Sequence, residues 1–176
     1  MRIPQICREL KEKISAGSPG RNLYSVVGDY DQLERFVKEF EGISERSWRM
    51  RVVSMNEDFL GYLESAGLLE KLVDFERKER KQSVRNGLEK AFKDWITSLL
   101  TKYDMLVLHG FELLYAYDLS FEFFWEWAKE EKKVIFLIPG EKRGATVYIF
   151  PWDDKTRKVF PRSLLKEEWI WEITEQ

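Results

Sequence analysis

The chain predicts a three-layer α/β domain built on a mainly parallel sheet of about five strands. Short β-rich apolar runs alternate with segments of helical spacing along all 176 residues. One run, VIFLIPG at 134–140, is apolar at nearly every position, as a central strand covered on both faces requires. The spacers between the first four runs are long enough for the crossovers that parallel neighbours need. No repeat, low-complexity segment or linker divides the chain, so residues 1–176 read as a single domain.

The elements follow in order. Residues 4–16 form an amphipathic helix, with Ile3, Ile6, Leu10 and Ile14 on one face, and GSPG at 17–20 ends it. LYSVV (23–27) is the first strand. Asp29 or Asp31 then caps a helix through Phe40, with Leu33, Phe36 and Val37 on its buried face and Gly42 as its stop. WRMRVVSM (48–55) is the second strand, and Asn56 is the N-cap candidate for the helical stretch behind it. That stretch runs to Leu100 and divides near Ala66-Gly67 or Asn86-Gly87. DMLVLH (104–109) is the third strand. LSFEFFWEWAKEEKK (119–133) reads as a helix capped by Asp118 or Ser120, with Phe121, Phe124, Trp125 and Ala128 facing the sheet and Phe123 and Trp127 facing elsewhere. VIFLIPG is the fourth strand. ATVYIF (145–150) is the fifth, and only Gly140 to Gly144 separate the two, so they pair antiparallel. WDD at 152–154 is a polar turn. SLLKEEWIWEI (163–173) is read as a closing helix started by Pro161 and Ser163. On such a helix Trp169 and Trp171 point apart, which makes one of them a partner anchor.

Composition narrows the function classes. Twenty-nine basic and 31 acidic residues leave a formal charge of -2, so no global field draws in nucleic acid or an acidic membrane. The basic run RKERK, Arg77 to Lys81, reads as a solvated helix face or loop. A lone Cys7, on a helix face, excludes a disulfide framework within one chain and fits a reducing compartment. No signal-peptide core or stretch of about 18 apolar residues is present, so the expectation is a soluble, cytoplasmic protein.

Ligands of such sheets meet the carboxyl ends of the strands. Those ends carry Gly28-Asp29, Ser54-Met55, His109-Gly110 and Pro139-Gly140. A phosphate loop requires GxxxxGK[ST], whose glycines turn backbone amides inward and whose lysine and hydroxyl hold phosphate and magnesium. Here the first strand is followed by GDYDQLER, with Leu33 and Glu34 at the glycine and lysine positions and Asp29 and Asp31 adding repulsion. The third strand ends in His109 where a magnesium-directing carboxylate belongs. GxGxxG follows no strand, no GxSxG elbow exists, and one histidine with one cysteine cannot build a His- or Cys-rich metal site. No cofactor, metal or catalytic residue is assigned. His109 with Glu112 at i+3 remains a conceivable acid–base pair.

The segments VVGDYDQLERF, GLLEKLVDFERKER, YDMLVLHGFELLYAY and VIFLIPGEKRGATVYIF resemble the BrxB family, a small component of BREX bacteriophage-exclusion systems. The most specific of them is FLIPGEKRGATVYIF. A second BREX family, BrxF, shares the layout but has an intact phosphate loop, from which this chain departs at Leu33 and Glu34. The resemblance implies a P-loop NTPase-like or Rossmann-like scaffold without a functional P-loop. It also implies a non-catalytic protein-interaction role beside a PglZ-like partner. The expected partner surface is the loop Gly140, Glu141, Lys142, Arg143, Gly144, beside His109 and Glu112. Two alternatives stand next to it: a small nucleotide-binding or hydrolytic protein using His109 and Glu112, and a DNA-binding accessory domain using Arg77 to Lys81.

Overall fold

The computed structural model describes residues 1–17, 20–152, 154–155 and 157–174. The GSPG loop and the WDD turn include Ser18, Pro19 and Asp153, which lie outside the described residues. Among the described residues, seven strands form the sheet: β1 (Leu23–Gly28), β2 (Met50–Ser54), β3 (Met105–His109), β4 (Lys133–Arg143), β5 (Thr146–Ile149), β6 (Lys158–Val159) and β7 (Ile170–Glu172). Five of them are ordered β2-β3-β4-β1-β7, and every pair along that path is parallel. β4 outruns its neighbours and pairs antiparallel with β5, which pairs with β6.

Helices cover both faces. α1 (Ile3–Ala16) and α2 (Tyr30–Ile43) pack on the face that carries Tyr24, Val26, Val107, Ile135 and Leu137. α3 (Glu57–Ser65), α4 (Leu69–Arg77), α5 (Lys81–Lys102), α6 (Glu112–Ala116) and α7 (Phe124–Trp127) lie on the face of Leu106, Leu108, Phe136 and Ile138. Alternate residues of β4 therefore feed two separate cores, which is why VIFLIPG has no polar side. Burying a side chain of this size contributes about 1.5–3 kcal/mol, so β4 anchors both layers.

Several expectations change. The stretch from 57 to 100 holds three helices: Gly67, at φ 68°, makes one break, and Glu79, at φ 54°, makes the other. Asn86 and Gly87 lie inside α5. Arg77 to Lys81 therefore wraps the corner between α4 and α5 and forms no continuous helical stripe. α2 runs through Gly42 to Ile43, and the second strand is shorter than read, with Trp48 in a 3-10 turn.

The long helix expected over 119–133 does not form. Asp118 at φ 52° and Glu130 at φ 54° bound a loop that holds only the single turn of α7. Phe121, Phe123 and Phe124 are all buried, a spacing that one helical stripe does not bring to the same face. Trp125 and Trp127 are the exposed ones, so Phe123 and Trp125 exchange their expected places.

The C-terminal helix is also absent. Residues 162–164 and 167–169 are 3-10 turns, and β7 follows them and extends the sheet beside β1. Trp169, Trp171 and Ile173 are buried in alternation, the period of a strand. Tyr24 packs on both tryptophans at 5.1 and 6.4 Å, and Trp171 Nε1 donates to Glu9 at 3.0 Å. Neither tryptophan is a partner anchor.

Candidate functional site

The connections place a crevice above β4. α2 leaves β1 toward one face and α6 follows β3 on the other, with β4 between them in the sheet. This is the position at which open parallel sheets accept ligands. Its rim consists of the residues directly after β1, β2 and β3, so the topology selects Tyr30, Asn56, His109 and Glu112.

A polar network spans the crevice. Tyr30 Oη donates to Glu112 Oε1 at 2.6 Å, and Asn56 Nδ2 donates to Glu112 Oε2 at 2.5 Å. Asn56 Oδ1 in turn accepts the Leu113 amide at 2.9 Å. Asn56 thus stands at the N-cap position of α3, as expected, but its side chain makes no capping hydrogen bond there. Ser54 Oγ accepts the Glu57 amide, and the Asp58 carboxylate accepts the Ser54 amide. Burial, and then the hydrogen bond and charge of Glu112, push the Tyr30 phenol well above its usual range.

His109 is exposed and, among the described residues, makes no side-chain hydrogen bond or ion pair. Its carbonyl accepts the Met55 amide at 2.7 Å, which ties the ends of β2 and β3 together. Gly110, at φ 72°, then turns the chain so that Glu112 points back across the crevice. The His109–Glu112 pair expected from spacing does not form, because both Glu112 oxygens are held by Tyr30 and Asn56.

The end of β1 lacks room for a phosphate loop. One residue, Asp29, separates β1 from α2. Its carboxylate accepts the Gln32 amide at 2.8 Å while Gln32 Oε1 accepts the Asp29 amide at 2.9 Å. This reciprocal capping box engages the Asp29 and Gln32 amides at the start of the helix.

Two cavities share Tyr30 as a wall. One of about 380 Å³ is lined by Leu33, Val37, Val52, Leu137 and Pro139, with His109, Gly110 and Glu34 at its sides. The other, of about 460 Å³, is lined by Glu112, Tyr115, Ala116, Phe150, Trp152, Lys155 and Lys158. Tyr30 and Trp152 are 51% and 58% exposed, and their rings stand 5.7 Å apart.

The residues expected as a partner loop are placed differently. Gly140 to Arg143 are strand, paired with β5, and only Gly144, at φ 60°, lies in the turn. A Cβ at Gly140 would stand 2.0 Å from the Tyr148 carbonyl oxygen, so glycine is obligatory there. β3 and β4 are neighbours, as the expected placement required, yet the cavity beside His109 takes Pro139 and nothing from 140–144. Those residues turn toward β7 instead: the Lys142 amide donates to Glu172 at 2.7 Å, and Arg143 pairs with Glu141 and lies over the Tyr148 ring. The structure thus joins His109 and Glu112 to Tyr30 in one crevice and sets Lys142, Arg143 and Gly144 apart from it.

Sequence reading missed Tyr30, Asn56 and Trp152 as site residues. Tyr30 left a signal: a large aromatic directly after the strand-end Asp29, at a position that α2 exposes.

Cys7 is buried, and burial, with a smaller contribution from Glu39, pushes its thiol up to about 12, which keeps it un-ionised. Among the described residues no group of three or more His, Cys, Asp or Glu side chains is placed to hold a metal ion, and no helix is long and apolar enough to cross a membrane. Comparison with protein-family models, curated proteins and solved structures gave no match, so the BrxB resemblance rests on the quoted segments alone.

Proposed function

We propose that the chain is a non-catalytic, cytoplasmic protein-interaction component of a BREX-type bacteriophage defence system that binds a PglZ-like partner. The observation that carries the reading is the pairing at the strand ends. Asp29 is spent on capping α2, and Glu112 is spent on Tyr30 and Asn56. Both carboxylates are engaged by donors of the chain itself, while Tyr30 and Trp152 remain exposed at the same rim. Exposed aromatics around an apolar hollow suit a protein partner. The family resemblance supplies the identity of that partner.

Co-purification of the full chain with a PglZ-like protein tests the proposal. Saturable retention at micromolar concentration is expected, and Trp152→Ala is expected to weaken it without unfolding the domain. No retention at that concentration overturns the reading. A rise in melting temperature with ATP or GTP and Mg²⁺ that His109→Ala abolishes replaces it with the nucleotide-binding alternative.

A further inference from the structure

We infer that the cavity beside His109 is a binding site for an uncharged small molecule, an apolar body of about two rings that carries one hydroxyl group. The body fills the hollow between α2 and β2, and the hydroxyl lies at the mouth between Tyr30 and His109. This goes beyond the interaction reading above and stands whichever protein the chain binds.

The topology leaves the hollow open. α2 packs over β1 and β4, whereas α3, α4 and α5, which connect β2 to β3, lie on the opposite face. Val52, on the edge strand β2, is therefore only half-buried. Together with Leu33 and Val37 of α2 and Leu137 and Pro139 of β4, it bounds a cavity of about 380 Å³. A cavity of about 150 Å³ accepts one benzene ring, so this one has room for two. Its size, its aliphatic walls and its place at the carboxyl ends of parallel strands are those of small-molecule sites.

The mouth selects the head group. No lining residue is Lys or Arg, and Glu34 is among them, so a carboxylate or phosphate would meet an anion and no cation. Glu34 already pairs with Lys38 at 2.6 Å, so an ammonium group would approach a cation there as well. An uncharged head remains, and the aliphatic walls favour it for the same reason. Tyr30 gives its one hydroxyl proton to Glu112 at 2.6 Å, which leaves its oxygen only lone pairs to offer a ligand. The His109 side chain makes no hydrogen bond or ion pair among the described residues, and its neutral imidazole presents one donor and one acceptor. A hydroxyl group matches both residues: it donates to Tyr30 Oη and accepts from the His109 N–H. An ether or a ketone has no proton for Tyr30.

The test follows the methyl and imidazole C–H resonances of the full chain by NMR as 2-naphthol is added, with 2-methoxynaphthalene and 2-naphthoate titrated in parallel. Naphthol is expected to shift the Leu33, Val37, Val52 and Leu137 methyls and the His109 ring, with half-saturation at about 0.1 mM or below. The methoxy and carboxylate analogues should bind at least about fivefold more weakly, since one lacks the proton and the other brings a charge. Tyr30→Phe should bring naphthol down to the level of methoxynaphthalene. Val52→Phe, which sets a ring into the hollow from the edge strand, should abolish saturation while the circular dichroism spectrum stays unchanged. Any of five results overturns the inference. Shifts may fail to saturate below about 1 mM, or may centre on the separate apolar cavity of Leu60, Leu72 and Leu88. Naphthoate may bind as tightly as naphthol, the gap between naphthol and methoxynaphthalene may survive Tyr30→Phe, or Val52→Phe may bind undiminished.

Discussion

The two ends of the sheet each hold one carboxylate between two donors, and they use it differently. At the amino end, Asp104 accepts from Arg49 at 2.6 and 2.7 Å and from Lys132 at 2.8 Å. Arg49 directly precedes β2, Asp104 precedes β3 and Lys132 precedes β4, so the cluster staples three neighbouring strand starts. Its two cations hold the Asp104 carboxyl far below the usual carboxylate range, through the Arg49 and then the Lys132 hydrogen bonds. At the carboxyl end, Glu112 has two neutral donors, Tyr30 and Asn56, and no ion pair among the described residues. The amino end compensates its charge and fixes structure. The carboxyl end holds its carboxylate with neutral donors at the rim of an open crevice.

The largest effect belongs to the ribbon that walls the crevice. Gly140→Ala forces a methyl into the Tyr148 carbonyl and should cost about 3 kcal/mol or more in urea unfolding, because backbone must move to admit it. Next comes the staple. Asp104→Ala should lower stability by about 1–2 kcal/mol, or roughly 2–8 °C in melting temperature. The pH dependence has a definite sign. Asp104 has a depressed folded pKa, so its contribution is complete above the unfolded carboxylate pKa of about 4 and is lost as pH falls toward the folded value. The gap between wild type and Asp104→Ala should therefore close on acidification below about pH 4 and stay constant from pH 6 to 8. A gap that is flat down to pH 2 would erase the contrast between the two ends.

Glu112→Gln should cost less, about 1 kcal/mol or under, because the amide retains one of the two contacts. It removes a charge that opposes phenolate formation, so the Tyr30 titration followed by NMR should move down toward that of free tyrosine. The smallest stability change is expected for Trp152→Ala, within about 0.5 kcal/mol, since the ring is largely in solvent. Loss of partner binding without loss of fold is what separates the upper end from the lower.

Much of the fold was legible because local pattern and tertiary role agree. The unbroken apolar run Val134–Ile138 announced a central strand, and the short spacer Gly140 to Gly144 announced the antiparallel return. The failures have physical causes. Trp169, Trp171 and Ile173 alternate as a strand does, but the Lys-Glu-Glu before them favours helix and hid the period. In 121–124 the demand of the core for three phenylalanines overrode helical propensity. At the site, His109 and Glu112 were visible as strand-end residues, whereas their surroundings were not. Tyr30 reaches Glu112 across 82 positions and Asn56 reaches it across 56, distances that only the strand order closes.

Isothermal titration of the full chain with a purified PglZ-like protein, with ATP and Mg²⁺ titrated in parallel, probes the interaction reading most directly. Saturable heat with the protein at micromolar concentration, and none with the nucleotide, is the predicted result. Saturable heat with ATP and Mg²⁺, and none with the protein, would contradict it.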